Sequence, residues 1–407
     1  MKKNGFAEIL SGISRTTDRK VAAKLPSLTG MRIPSGLALE QCSSEAAALH
    51  KAVTAVKLAS GKSGRAGDAL RIADLTGGLG IDCWAFSRTF GKVLYNEMNP
   101  SLSEAVRENF ETLGIGNVTF CGFEIRPDSN DWKDALASFR PDIIYLDPAR
   151  RDATGRKVFL IEDCSPNVLE LLPALLCLSP LILLKLSPMA DISLVADRLS
   201  GRCREATGRN CLKQIQAAGL NGECKELLCV IDRDWNGSCS IGATKLGGNG
   251  EIISEFSVLS DNRDKLPLHI AGEDELSEGS TLLCPDASIL KAGLQDFICE
   301  SPDISKLDRF TQLYLCKEEI PETAGSFFSA YRIIEVLPFC NRSFKDLGSR
   351  YPSTDVTARN LPISSEELKL RIFGKNAPAG TSNLHIWGFS TPHGRQLAVC
   401  ERICNKQ

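Results

Sequence analysis

Histidine is nearly absent: His50, His269, His385 and His393 are the only four in 407 residues, and they fall on different segments. Without a His cluster, neither a metal centre nor a histidine base is expected. Cysteine is plentiful at 16, but no C-x-x-C pair occurs, so neither the spacing of a zinc site nor that of a redox motif is present. Cys83, Cys121, Cys177, Cys229 and Cys284 sit singly in apolar segments, which fits buried, reduced thiols in a cytoplasmic protein. Long apolar runs are missing as well. The longest, Leu171–Leu186, is broken by Pro173, Ser179, Pro180 and Lys185, so no membrane span is expected. The N-terminal stretch has no continuous apolar core and no cleavage site, so no signal peptide is expected. Aromatics make up only 6% of the chain.

Net charge is also small, at −2, which excludes strong non-specific nucleic-acid binding driven by bulk charge. Its distribution is uneven. Residues 1–70 hold 11 Lys and Arg against 5 Asp and Glu, and residues 341–407 hold 10 against 5. The stretch between them is acidic, 27 against 40. A solvated surface explains two basic ends, and so does a face that meets an anionic partner such as RNA.

What is present is alternation. An alanine-rich helix is predicted over Ala46–Ala59 with Ser43 as its cap, and Gly61–Gly67 links it to the first core strand. That link lacks the G-x-x-x-x-G-K-[ST] pattern of a phosphate loop. From residue 71, strands are predicted at Ile72–Leu75, Lys92–Asn96, Val118–Cys121, Asp142–Leu146 and Leu181–Leu186. Helices are predicted between them at Ile81–Phe90, Ser101–Leu113, Trp132–Ser138 and Val168–Leu178. This spacing defines an α/β domain with a mainly parallel sheet. Two more strands carry it to about Asp234. A hairpin is predicted next at 240–259, and then a helix over Ala287–Phe297. Strands and helices over 313–403 complete a small α+β module.

Arg71–Glu97 organises the rest: a strand ending in Asp74, a turn with Gly77, Gly78 and Gly80, a helix, and a second strand ending at Glu97. Glycines let a backbone approach a ligand closely. A carboxylate after the second strand can accept both hydroxyls of a ribose. The turn is not G-x-G-x-x-G, so a nicotinamide cofactor is not the first choice. A second signal is Asp147-Pro148-Ala149-Arg150-Arg151, which closes the apolar run Asp142–Leu146, because ligands of such sheets bind beyond the carboxyl ends of strands. Asp147 can project into such a site, and Pro148 stiffens the loop. Arg150 and Arg151, with Arg156 and Lys157, form a basic cluster beside it. Lys185, inside the apolar strand Leu181–Leu186, must reach solvent or find a partner, which makes it a candidate on the substrate side.

Residues 71–235 resemble a class I S-adenosylmethionine-dependent methyltransferase. ADLTGGLGIDC resembles the family's first motif, with Thr76 at its first glycine and Gly78 and Gly80 at the others. VLYNE resembles the segment whose terminal acid, here Glu97, binds ribose. Glu124 falls where a polar residue stands near the adenine. LDPAR takes the place of a D/N-P-P-[YFW] motif, with Arg150 where an aromatic residue stacks on the base in amine-methylating enzymes. Cys164 does not match the cysteine motif of C5-methylating enzymes. LEQCSSEAAALHKA, LLKLSPMADI and VTARNLPISSEELKLRI are similar to stretches of bacterial methyltransferases with a C-terminal THUMP-like domain, known from Bacteroidetes-type bacteria. That resemblance implies a Rossmann-like methyltransferase sheet (71–235) after an N-terminal helical region (1–70). A β-hairpin and ferredoxin-like connecting region (236–330) would come next, and then a ferredoxin-like or THUMP-like module (331–407). It also implies S-adenosylmethionine as cofactor, bound through Asp74, Thr76, Gly78, Gly80, Glu97 and Glu124, and RNA as substrate. A protein or small-molecule acceptor, or an RNA-binding factor without catalysis, is the alternative that the residues leave open.

Overall fold

In the computed structural model the segments from residue 71 onward build two sheets in two units, residues 1–260 and 261–407. The structure describes residues 19, 21–28, 30–149, 160–262, 268–318, 320, 327–375 and 383–403. No described helix is long and apolar enough to cross a membrane.

The first unit is a nine-stranded sheet. Its strands are β1 (Arg71–Asp74), β2 (Lys92–Asn96), β3 (Val118–Cys121), β4 (Ile143–Leu146), β5 (Leu181–Leu186), β6 (Leu212–Leu220), β7 (Glu223–Asp232), β8 (Ser240–Leu246) and β9 (Ile252–Leu259). Their order is β3-β2-β1-β4-β5-β7-β6-β8-β9. Strands β1 to β5 run parallel, and β7 enters antiparallel between β5 and β6. All four residues of β4 are buried, as a parallel strand covered on both faces requires. Strand order reverses between β1 and β4, so a crevice opens at their carboxyl ends.

The helix Glu45–Ser63 lies on this sheet because Ala48, Ala52, Ala55 and Ala59 fall on one side at helical spacing and are at most 1% exposed. Small side chains on that stripe allow a close approach of helix to sheet. Its cap is Ser44, whose hydroxyl accepts from the Ala47 N–H, and not Ser43 as expected. The Ser43 hydroxyl is engaged elsewhere, donating to Asp82.

The sheet does not stop near Asp234. The hairpin expected in the connecting region is β8 and β9, with β8 parallel to β6 from Gln214↔Ser240 to Leu220↔Leu246. Without it, β6 would expose a row of unpaired backbone groups. Ile241 and Ala243 are buried there, and the Gln216 amide donates to the Thr244 hydroxyl at 2.6 Å across the pair.

The second unit holds β10 (Thr281–Pro285), β11 (Ile304–Lys306), β12 (Tyr314–Cys316), β13 (Phe328–Pro338), β14 (Asp355–Arg359), β15 (Leu384–Thr391) and β16 (Gly394–Arg402). They are ordered β11-β12-β10-β13-β16-β15-β14. Side chains alternate across this sheet. Leu397, Val399 and Ile386 pack against the helices Asn341–Arg350 and Ser365–Phe373. Ala398, Cys400, Trp387 and Phe389 form a second core with Leu282, Leu315 and Tyr331. Strand β10 is not predicted by the sequence, which signals only a helix after Pro285. That helix, Ala287–Ala292, is also shorter than expected. Gly293, at φ +69°, ends it. Phe344 and Trp387 are 4% and 2% exposed and belong to these cores.

Candidate active site

The crevice at the switch point is floored by the turn after β1. Gly77 sits where a Cβ would stand 2.2 Å from the Tyr95 ring. Gly80, at φ +77°, starts the helix Ile81–Ser87 and leaves no room for a Cβ, which would meet Val106 at 2.6 Å. The Tyr95 hydroxyl donates to the Gly78 carbonyl at 2.7 Å, and the Gly77 N–H donates to the Asn96 carbonyl at 2.8 Å. Asn96, 1% exposed, ties the neighbouring loops together. Its amide donates to the carbonyls of Leu75 and Phe123, and its oxygen accepts from the Phe123 N–H.

Asp74 is buried at the end of β1. One oxygen accepts from the Thr76 N–H at 3.1 Å, and the other has no hydrogen-bond partner among the described residues. Burial, reinforced by the Asp82 charge, holds its pKa well above the ordinary carboxylate value. Glu97 accepts from the Gly78 N–H at 3.0 Å and from the Asn99 N–H at 2.8 Å. A carboxylate offers about four acceptor sites, so capacity remains for two hydroxyls. Glu124 is exposed, 3.8 Å from Arg126.

Across the crevice stands Asp147, just past β4. Its backbone N–H donates to the Thr76 hydroxyl at 2.6 Å, so Thr76 joins the two walls of the site. Its carboxylate accepts from the Lys185 ammonium. Lys185 has therefore found a partner inside its strand, as an apolar surrounding demands. Pro148 is buried and Ala149 exposed, with Ala149 bridged to Ser165 by two backbone hydrogen bonds of 2.7 and 2.9 Å. Arg150 and Arg151, like Arg156 and Lys157, lie outside the described residues.

The structure adds a group of charges that sequence reasoning missed. Tyr145 and Asp147 alternate onto one face of the sheet. Leu183 is in register with Tyr145, and Lys185 with Leu228, so Lys185 and Glu226 share that face. Helices Glu45–Ser63 and Ile81–Ser87 contribute Lys51 and Asp82. The fully buried Lys51 ammonium bonds both oxygens of Glu226 (3.0 and 2.8 Å) and the Ser43 hydroxyl (3.0 Å), and lies 3.2 Å from Asp82. Asp82 accepts from Ser43 at 2.9 Å and from Tyr145 at 2.8 Å. Burial opposes ionisation of Asp82, but Lys51, Lys185 and these two hydroxyls outweigh it and hold its pKa low. For Glu226 burial prevails over Lys51 and Lys185, and its pKa is raised. Burial alone would lower the Lys185 pKa. The carboxylates of Asp147, Glu226 and Asp82 reverse this and hold it above the ordinary lysine value. The sequence carries one clue to this group, the same that singles out Lys185: a charge inside an apolar segment. Lys51 falls on the alanine stripe and Glu226 in the run ELLCVID.

The basic ends are partly neutralised locally. Arg350 pairs with Glu335 and Asp346, and Arg371 with Glu367.

The fold of the first unit, a parallel half-sheet with an antiparallel strand inserted beside its last strand, is the Rossmann-like fold of class I methyltransferases. The second unit carries a ferredoxin-like domain. A family model described as a ferredoxin-like domain matches residues 282–322. The crystal structure of a candidate methyltransferase from Porphyromonas gingivalis W83 is similar along nearly the whole chain. Its TM-score is 0.74 at 24% identity, covering 96% of this chain and 89% of that one. An rRNA methylase from Streptococcus thermophilus aligns over 45% of this chain and 92% of its own at 12% identity, with a TM-score of 0.29. A ribosomal protein L11 methylase from Lactobacillus delbrueckii subsp. bulgaricus aligns over 46% and 80% at 16% identity, with a TM-score of 0.30. At those TM-scores the two partial alignments add nothing to the fold assignment. No curated protein matches the chain.

Proposed function

We propose that the chain is an S-adenosylmethionine-dependent methyltransferase that acts on RNA. One observation carries the cofactor reading: a glycine turn and a ribose-type carboxylate stand on one wall of the switch-point crevice, with Asp147 on the other. The residues fit the cofactor. The unpartnered buried oxygen of Asp74 offers an acceptor to a cationic amino group, directly or through water. Thr76, Gly78 and Gly80 shape a backbone surface a ligand can approach, and Glu97 keeps acceptor capacity for a ribose. Glu124 is proposed for the adenine side only through its place after β3. When bound, the cofactor supplies an electrophilic methyl group on sulfur.

The chain's own residues then position the acceptor, which supplies most of the rate in an in-line displacement. Asp147, fixed by Thr76 and Lys185, orients it, and Pro148 limits the loop. The RNA reading is supported by the basic balance of residues 1–70 and 341–407, with Arg150 and Arg151 proposed for phosphate contact. Calorimetric titration with S-adenosylmethionine tests the layout. Glu97→Ala should weaken binding at least about tenfold, the loss of charge-assisted bonds worth roughly 1.5–3 kcal/mol. Unchanged affinity would remove Glu97 from the site. RNA affinity should fall steeply between about 50 and 200 mM salt.

A further inference from the structure

We propose that the acceptor is a hydroxyl group, the ribose 2′-hydroxyl of an RNA nucleotide, methylated beside the Lys185 ammonium and the Asp147 carboxylate. This rests on the cofactor and RNA reading above and names its acceptor atom. The group facing the glycine turn is an ion pair rather than a lone carboxylate. Its side chains are 13% and 30% exposed, so the pair is largely covered yet not sealed from solvent. Both ends are held. The Asp147 backbone is tied to Thr76, and Lys185 stands on the sheet face that carries Glu226 and is covered by Lys51 and Asp82. A buried set of charges like this is seldom the most stable way to fill such a space. Beside a crevice, it fixes a cation in place before a reaction begins.

The charge that develops during transfer decides between acceptors. An exocyclic amine becomes more positive as the methyl arrives, and it is best served by an unpaired carboxylate or carbonyl. Here the carboxylate is neutralised by an adjacent ammonium, which opposes that charge. A hydroxyl oxygen becomes more negative as its proton leaves. An ammonium pre-set in a site partly shielded from water stabilises that charge without reorganising. The acceptor oxygen forms the new O–C bond, and the C–S bond of the sulfonium breaks with its electron pair remaining on sulfur. The hydroxyl proton passes to the Asp147 oxygen not engaged by Lys185, and then to water. In RNA the hydroxyl offered by every internal nucleotide is the 2′-OH.

The test compares RNA from a strain lacking the gene with RNA from its parent. Mass spectrometry would read nucleosides, and resistance to alkaline cleavage would read 2′-O-methylation. The expected result is loss of one 2′-O-methylated nucleoside in the deletion strain. Wild-type protein and Lys185→Arg should restore it, the latter in part, and Lys185→Met should not. Calorimetry with S-adenosylhomocysteine should show Lys185→Met binding within about threefold of wild type, which separates loss of transfer from loss of fold. Loss of a base-methylated nucleoside instead would overturn the hydroxyl proposal and leave the RNA reading standing. No change in any RNA nucleoside would overturn both. Full activity of Lys185→Met would remove Lys185 from the chemistry.

Discussion

Replacing Lys51 with methionine would remove the cation at the centre of the buried charge group while keeping the length of the side chain. Lys51 is fully buried, and the Glu226 and Asp82 side chains it contacts are 2% and 10% exposed. The variant leaves two carboxylates facing one another with no partner of opposite charge in contact. Breaking a buried pair in this way costs about 3–5 kcal/mol. At about 2–4 °C per kcal/mol for a unit of this size, the calorimetric transition should fall by about 6–20 °C. The sign of the pH dependence comes from the same contacts. Loss of Lys51 removes a cation that lowers both pKa values, lifting that of Asp82 and pushing the already raised one of Glu226 further up, so the folded variant binds more protons than the folded wild type. Its deficit should therefore be smaller at pH 5 than at pH 8. Lys51→Met/Glu226→Met, which removes one charge of each sign, should recover much of the loss. A deficit below about 1 kcal/mol at pH 8, or one equal at pH 5 and pH 8, would refute the reasoning.

His50 is 3% exposed, and burial with the neighbouring Lys51 charge pushes its pKa down to about 4. Its neutral form contributes stability that is complete above pH 6.5 and is lost as pH falls toward 4. The loss is about 3 kcal/mol at the 1.4 kcal/mol that each pH unit represents. Urea titrations at pH 7 and pH 4.5 should show it, and His50→Gln should flatten it. Thr76→Val removes the acceptor for the Asp147 N–H and should cost about 1–2 kcal/mol, while Thr76→Ser should cost less than half of that. Equal costs for the two substitutions in denaturant titration would mean that the 2.6 Å hydrogen bond contributes nothing.

Much of the first unit is legible in the sequence because each of its elements has a local cause. Ile143–Leu146 is a buried parallel strand because it is apolar without alternation, and Val168–Leu178 begins where Asn167 caps it. The turn at Gly77–Gly80 is readable because only glycine fits against Tyr95 and Val106. The continuation of the sheet into β8 and β9 is not, since a hairpin's own sequence does not say which edge it joins. Strand β10 is hidden for a similar reason, being five residues whose pairing to β12 and β13 is decided far along the chain.

The same division runs through the site. Asp74, the glycines, Glu97 and Asp147 stand at strand ends within motifs, and the sequence by itself determined that much, because local periodicity sets where a parallel strand stops. Only the tertiary structure decided what faces them. Lys51 and Glu226 are 175 residues apart, and Asp147 and Lys185 are 38 apart. They meet because strand order and side-chain alternation put them on one face under a helix of small residues. Thr76, which replaces a glycine of the familiar pattern, has its role fixed in the same way. Its hydroxyl matters because β4 lies beside β1, a pairing that no local pattern encodes.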